Sequence, residues 1–142
     1  MKNLNSNTDA PYRAELRLAA EIPPTPTRWL WEKWIPAGRL LILAGAGGSG
    51  KTTLATSLAA TISNGSQWPD GSDCASTGNV LIWSGEDGIS DTVIPRLIAA
   101  GANLERVSII EGRTAPDGKT RAFNPATDFD LLNAEAERIG NV

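Results

Sequence analysis

The stretch RLLILAGAGGSGKTTLATSL, from Arg39 to Leu58, decides the fold of this chain. Its first part, Arg39–Gly45, is a short apolar run bounded by glycines, which is typical of a strand buried on both faces of a parallel sheet. After the glycine-rich loop, apolar residues recur every four positions, which predicts a helix that ends near Asn64-Gly65. That helix face consists of Leu54, Leu58 and Ile62. A strand, a loop and a helix in this order indicate an α/β fold.

The same alternation continues downstream. NVLIWSGEDG contains an apolar run that predicts a second strand over Val80–Ser84, and VSII predicts a third over Val107–Ile110. A helix is predicted between them, from Ser90 to Gly101, and its apolar face consists of Ile94, Leu97 and Ile98. Strands that alternate with helices of about ten residues form βαβ units. The predicted architecture is therefore a three-layer α/β fold, with a parallel sheet and helices on both faces.

The C-terminal part is predicted to be a long loop followed by a helix. Residues Gly112–Ala126 lack a periodic pattern, and connections of this length usually serve a function or move. The loop's charged residues include Arg113, Asp117, Lys119 and Arg121. Thr127 and Asp130 are spaced as in a capping box, which predicts the start of a helix. Its apolar face consists of Phe129, Leu132, Ala136 and Ile139.

Residues 1–27 are predicted to be an N-terminal arm and linker, and residues 28–142 to belong to the folded domain. In the arm, Leu16, Ala19 and Ala20 form the apolar edge of a short helix, which PPTPT ends because proline lacks an amide hydrogen. The domain then begins with three tryptophans in six residues, Trp29, Trp31 and Trp34. Such rings either stack on a nucleic-acid base or pack at the edge of the core. Core packing is the favoured interpretation.

The composition is that of a folded domain, since 41% of the 142 residues are apolar and 20% are charged. With a net charge of -3, contact with nucleic acid requires a local basic patch or a surface formed by assembly. The single cysteine, Cys74, and the lack of an apolar secretory segment predict a reducing, cytoplasmic location. No window reaches about 18 consecutive apolar residues, so no membrane insertion is expected. Without histidine, proton transfer and metal binding fall to carboxylates, hydroxyls and water.

The loop GAGGSGKT matches the phosphate-binding pattern G-x-x-x-x-G-K-[ST]. Glycines allow successive amides to point inward around an anion, and the following helix adds its positive end. Lysine brings a point charge to the terminal phosphates, and the Thr52 hydroxyl suits Mg²⁺. The guanine-reading motif N/TKxD is not found in the sequence, which favours ATP. The predicted ATP-binding residues are Gly45, Ala46, Gly47, Gly48, Ser49, Gly50, Lys51, Thr52 and Thr53.

Two carboxylates, Glu86 and Asp87, follow the second predicted strand. A carboxylate is ionised at neutral pH and can orient or deprotonate an attacking water. Because parallel strands end at one edge of the sheet, Glu86 is expected to face the same crevice as the glycine loop. The alternative is that both acids merely occupy a turn or the first turn of a helix, where the helix dipole favours acids. The Mg²⁺-supporting acidic strand is not identified, since neither Asp87 after its Ser-Gly break nor Glu111 fits well.

The segments around these motifs resemble a known family. IPAGRLLILAGAGGSGKTTLATSLAATISNG, WPDG and NVLIWSGEDGISDTVIPRLIAAGANLERV are similar to the RecA-fold ATPases of the RepA-like hexameric replicative helicases and related AAA-domain proteins of phages and plasmids. The resemblance covers Ile35–Val107 well and, more loosely, the R-x-F-x-P-x-x-D stretch from Arg121 to Asp128. The S-x-E-D pair followed by P-R-L-x-A-x-G is more selective than the phosphate loop.

The resemblance implies a Mg²⁺-dependent ATPase motor that acts on DNA as a hexameric ring, with single-stranded DNA as a partner. It implies that Glu86 is the catalytic base, that Lys51 contacts the phosphates, and that Asp87 and Arg96 support the site. The later acidic strand, the sensor residue and the arginine finger of that family have no counterpart, so the chain is expected to be the N-terminal portion of such a domain. The alternatives are a P-loop kinase and a nucleotide-binding module without turnover.

Overall fold

The computed structural model of the chain describes residues 13–142; residues 1–12, part of the predicted arm, lie outside that range. In chain order the elements are β1 (Trp29–Trp31), β2 (Ile35–Pro36), α1 (Lys51–Asn64), β3 (Val80–Ile82), α2 (Ile94–Ala99), β4 (Val107–Ile109), β5 (Arg113–Thr114), β6 (Thr120–Arg121) and α3 (Phe129–Ile139). Over the described range the strands form three sheets of two strands each. The β1-β2 and β5-β6 pairs are antiparallel, whereas β3 and β4 are parallel.

The predicted βαβ unit is confirmed for β3, α2 and β4. The two strands pair in parallel, with Val80 opposite Val107 and Ile82 opposite Ile109. The connecting helix begins earlier than α2 itself, because a π-helical turn covers Ile89–Val93. Leu97 of α2 is completely buried, and the apolar residues of both strands pack around it. This unit contains the main core of the described chain.

The predicted strand over Arg39–Gly45 is wrong. After a bend at Arg39 the segment has no regular secondary structure, and its apolar side chains are exposed, with Leu40 at 88% and Ile42 at 80%. A strand is stabilised by the hydrogen bonds of its ladder, and no segment of residues 13–142 pairs with this one. The described residues therefore contain a two-stranded parallel sheet in place of the predicted three-layer sheet.

Helix α1 ends as predicted and packs on two sides. Its C-cap is Gly65, whose positive φ of 65° places it in the left-handed conformation that glycine favours. On the predicted face, Leu58 and Ile62 pack against a buried cluster of Trp31, Trp68 and Cys74. Leu54, on the same face, is 40% exposed. The most buried helix positions are small residues elsewhere on the helix, namely Thr56, Ala59, Ala60, Thr61 and Ser63. Small side chains allow the close approach of α1 to the βαβ unit.

The tryptophans around β1 are divided between the core and the surface. Trp31 and Trp68 are buried with Cys74, and the two indoles stack with their centroids 5.1 Å apart. The Trp31 indole nitrogen donates to the Asp70 carboxylate at 2.9 Å. The predicted core packing is therefore confirmed for Trp31, whereas Trp29 and Trp34 are 41% and 63% exposed.

The stretch predicted as one loop, Gly112–Ala126, contains the β5-β6 hairpin, so that prediction is wrong. The predicted helix is present as α3, but its start differs from a capping box. The Thr127 hydroxyl donates to the Asp128 carboxylate, which also accepts from the Asn124 amide and pairs with Arg113 at 2.8 Å. Asp128 is 3% exposed. These hydrogen bonds, the Asn124 amide first, lower the pKa of the Asp128 carboxyl despite the opposing effect of burial.

The part of the predicted arm that the structure describes, residues 13–27, contains little regular structure. A single 3-10 turn covers Ala19–Glu21, and Leu16 is 93% exposed, so the predicted short helix is reduced to one turn. The assignment of residues 1–27 as an arm stays a prediction. Among the helices described, none combines the length and the apolar character that crossing a membrane requires.

Candidate nucleotide-binding site

The glycine loop leads directly into α1 and leaves the first amides of that helix open. Gly48 and Gly50 have φ values of 73° and 84°, in the left-handed region that residues with a side chain rarely adopt. The first intrahelical hydrogen bond is donated by the Leu54 amide to the Gly50 carbonyl at 2.9 Å. The amides of residues 51–53 precede this bond and therefore have no carbonyl partner within the helix. Open amides at the positive end of a helix suit an anion.

Lys51 is held over the loop by two backbone carbonyls. Its ammonium group donates to the Gly45 carbonyl at 2.9 Å and to the Ala46 carbonyl at 2.8 Å. An ammonium group has three donors, so one remains for a ligand. The lysine thus fixes the start of the loop and keeps its charge beside the open amides.

The space around the loop explains its glycines. A Cβ on Gly45 would lie 2.9 Å from the Ser49 hydroxyl oxygen, so a side chain there would press on the closing residue of the loop. A Cβ on Gly47, Gly48 or Gly50 would meet no atom within 4 Å. These positions border open space, and the whole range 45–50 is exposed. The loop is therefore accessible to a ligand of the size of a phosphate chain.

The threonines after Lys51 offer hydroxyl groups in the first turn of α1. Thr52 is half-buried and Thr53 is exposed. Their carbonyls both accept a hydrogen bond from the Thr56 hydroxyl, at 3.0 Å in each case. Residues 13–142 contain no cluster of three or more acidic, histidine or cysteine side chains that could hold a metal ion. The Thr52 hydroxyl can supply one oxygen ligand to Mg²⁺, which proteins usually hold with one or two carboxylates, substrate phosphates and water.

Glu86 lies in a tight turn that follows β3. The Ser84 hydroxyl donates to the Asp87 carbonyl at 2.9 Å and accepts from the Asp87 amide at 3.0 Å. These two bonds close the turn around Glu86, whose side chain is exposed. Ser84 is a site residue that sequence reasoning missed. A local signal exists, because serine hydroxyls often form hydrogen bonds with backbone groups a few residues away.

Asp87 and Arg96, the two predicted supporting residues, are brought together. The Arg96 guanidinium lies 3.6 Å from the Asp87 carboxylate, and both side chains are partly exposed. Since Arg96 belongs to α2, the pair connects the Glu86 turn to the helix of the βαβ unit.

The structure gives Glu86 and the glycine loop no shared sheet edge, on which the predicted common crevice depends. The expectation relied on two parallel strands ending at one edge, and the segment before the loop is not a strand. No hydrogen bond or ion pair within the described range joins Glu86 to residues 45–53. The edge that Glu86 shares is that of β3 and β4, where Glu111 and Gly112 follow the second strand. The roles of the predicted site residues stay predictions.

Comparison with known proteins assigns a family. Residues 9–142 match the family model described as AAA domain. No curated protein and no solved structure matches the chain significantly. The family match spans the glycine loop, the Glu86 turn and α3, and it starts within the predicted N-terminal arm.

Proposed function

The chain belongs to the AAA domain family of P-loop ATPases, and we propose that it is the ATP-binding and ATP-hydrolysing motor domain of a RepA-like DNA helicase or a related replication ATPase. The observation that carries the proposal is the glycine loop with Lys51 held over it at the start of α1. That arrangement presents open amides, a helix N-terminus and one ammonium charge to the same space. All three features favour a polyphosphate.

In the proposed site, residues 45–53 hold the phosphates of ATP. The loop amides and the first amides of α1 donate to phosphate oxygens, and the free donor of Lys51 adds a positive charge. The Thr52 hydroxyl is the group that would hold Mg²⁺. When bound, this ion neutralises charge on the phosphates.

Glu86 is proposed to activate the attacking water. Its carboxylate is exposed at the apex of a turn that Ser84 closes, so it is free to accept a proton from water. Asp87 and Arg96 are proposed to support this turn from α2, in agreement with their pairing at 3.6 Å. Contact between Glu86 and bound ATP requires the turn and the glycine loop to approach each other.

The helicase class, the hexameric ring and the single-stranded DNA partner are proposed from the resemblance of Ile35–Val107 to RepA-like ATPases. A ring of copies of this chain places the nucleotide between neighbouring subunits, so residues of the neighbouring copy would line the site together with residues 45–53. In such an assembly ATP hydrolysis is expected to respond to DNA.

The test of the phosphate site is ATP affinity. Lys51→Ala removes the charge and both carbonyl contacts and should abolish ATP binding, measured by calorimetry. Lys119→Ala removes an exposed lysine from the β5-β6 hairpin and should leave affinity unchanged. Near-normal affinity in Lys51→Ala would remove the loop from the proposed function.

The test of catalysis is phosphate release with and without single-stranded DNA. Glu86→Gln should retain ATP binding and slow hydrolysis by about 10²- to 10⁴-fold, the usual contribution of a general base. Glu137→Gln, an exposed position on α3, is the matched control. Stimulation by DNA favours the motor, phosphate transfer to an added acceptor indicates a kinase, and binding without turnover indicates a nucleotide-binding module.

A further inference from the structure

Trp34 is the exposed outer ring of an aromatic stack that begins in the core. Its indole lies 5.3 Å from that of Trp31, with an angle of 26° between the planes. Trp31 in turn stacks on the buried Trp68 at 5.1 Å and 4°. Trp34 itself remains 63% exposed. A ring held in this way loses little conformational freedom when a ligand stacks on it.

The segment that carries Trp34 is a hairpin with defined ends. The Ala37 amide donates to the Arg28 carbonyl at 2.9 Å and closes the base, where β1 and β2 separate. The Trp34 amide donates to the Trp31 carbonyl at 3.0 Å and closes the turn, in which Lys33 has a positive φ of 64°. Residues 28–39, the tryptophan hairpin, therefore present Trp34 beside a tight turn.

The tryptophan hairpin is basic although the chain as a whole is acidic. It carries three cations, Arg28, Lys33 and Arg39, and a single acid, Glu32, which gives a local charge of +2 against -3 for the chain. All three cations are exposed. Lys33 lies at the turn, whereas Arg28 and Arg39 lie at the base, so cations stand at both ends of the hairpin. Asp70, from a neighbouring turn, accepts the Trp31 hydrogen bond and lowers the charge around the hairpin to +1. The hairpin is still a local basic patch in an acidic chain, as a nucleic-acid contact on a single subunit requires.

We propose that Trp34 stacks on an unpaired base of a single-stranded nucleic acid, while Lys33, Arg28 and Arg39 contact its phosphates. Unpaired bases have accessible faces for an indole, whereas the bases of a duplex are already stacked on each other. Aromatic rings combined with cations along the backbone are the usual means of binding single strands without sequence preference. The inference deepens the proposed motor function and rests on it for the DNA partner, but its test requires no ATP turnover.

The stacking test is fluorescence anisotropy of labelled oligo(dT) of about 15 nucleotides, the size that a single binding fold covers. Trp34→Leu keeps an apolar side chain but removes the ring, and it should weaken binding roughly 5- to 150-fold. Trp34→Phe keeps a ring and should bind close to the wild type. Equal affinity in Trp34→Leu and the wild type would overturn the stacking role, as would an equal loss in both variants.

The charge test is the salt dependence of the same binding. Lys33→Gln should reduce the slope of log K against log salt by about 0.7, the value for one phosphate contact on a single strand. Lys119→Gln removes a lysine from the other hairpin and should leave the slope unchanged. Equal slopes for Lys33→Gln and the wild type would exclude a phosphate contact at Lys33.

Binding of RNA and of duplex DNA shows which kind of nucleic acid the hairpin prefers. Oligo(U) distinguishes RNA from DNA as the source of the strand, and duplex DNA should bind more weakly than either. If the wild-type protein binds no single strand, the inference is wrong and the hairpin is left as a contact for a protein partner. ATP affinity is measured on every variant. If ATP still binds but the oligonucleotide does not, only this inference is contradicted. If the oligonucleotide binds but ATP does not, only the phosphate site is contradicted.

Discussion

Two apolar runs of this chain each lead into a proposed functional loop. One run is paired in a sheet, and the other is exposed. Val80–Ile82 forms β3, pairs with β4 and packs around the buried Leu97 before the Glu86 turn. Leu40–Leu43 precedes the glycine loop, and its four side chains are 47% to 88% exposed. The difference shows that a parallel strand requires a partner as well as an apolar sequence. In this structure the Glu86 turn follows a paired strand, whereas the glycine loop is held by α1 and by Lys51.

The largest expected difference between the two regions is in core packing. Leu97→Ala leaves a cavity in the βαβ unit and should lower the free energy of unfolding by about 2–5 kcal/mol. Leu40→Ala is the same change in the other region, where the side chain is 88% exposed, and should change stability by no more than about 0.5 kcal/mol. Urea unfolding followed by tryptophan fluorescence measures both. A similar loss in the two variants would show that Leu40 is buried in solution.

A second test concerns how α1 is attached to the βαβ unit. The Ser63 hydroxyl is buried and accepts a hydrogen bond from the Asn103 amide at 3.0 Å, just before β4. Ser63→Ala leaves that amide without its partner and should cost about 1–3 kcal/mol. Ser66→Ala, at an exposed position past the end of α1, should have little effect in the same urea experiment. If Ser63→Ala is neutral, α1 is attached mainly by its small apolar residues.

The third test uses pH to compare a buried acid, Asp128, with an exposed one, Asp70. Hydrogen bonds lower the folded-state pKa of Asp128, chiefly the Asn124 amide, and that of Asp70, chiefly the Ser72 hydroxyl. Each carboxylate therefore stabilises the fold above its ordinary pKa of 3.8, and this contribution is lost as the pH falls through the folded-state pKa. Because Asp70 is exposed and Asp128 is 3% exposed, most of the loss should come from Asp128.

The measurement is the unfolding midpoint in urea from pH 7 down to pH 3. Asp128→Asn should be less stable than the wild type at pH 7 and should show a flatter dependence below about pH 4. Asp70→Asn should follow the wild-type curve more closely. Parallel curves for Asp128→Asn and the wild type would mean that Asp128 does not titrate with unfolding.

Local patterns predicted the elements whose signals lie within one segment. The period of apolar residues and the glycine at position 65 gave α1, which the structure places at Lys51–Asn64. The turn of the β5-β6 hairpin also had a local signal, since Pro116, Asp117 and Gly118 form a common turn sequence, but it was interpreted as part of a long loop. Strand pairing of residues 39–45 could not be decided locally, because it depends on a partner distant in sequence.

In the candidate site, too, local features were predictable from the sequence and long-range contacts were not. The sequence pattern located the glycine loop and Lys51, because phosphate binding is a property of one continuous segment. The two carbonyls that hold Lys51 were not predicted, since they depend on how the loop folds back on itself. The distance between Glu86 and the loop depends on strand order. Because residues 39–45 form no strand, Glu86 and the glycine loop do not share a sheet edge in this structure.

The smallest expected effect concerns the ion pair beside the Glu86 turn. Arg96 and Asp87 are partly exposed and 3.6 Å apart, so water screens their attraction. A double-mutant cycle with Arg96→Gln and Asp87→Asn should give a coupling energy of about 0.2–1 kcal/mol. The Ser84 hydroxyl bonds, which close the turn on the chain itself, are expected to hold it more strongly. A coupling energy well above this range would show that α2, through Arg96, positions the turn that carries Glu86, and would strengthen the contrast with the phosphate loop.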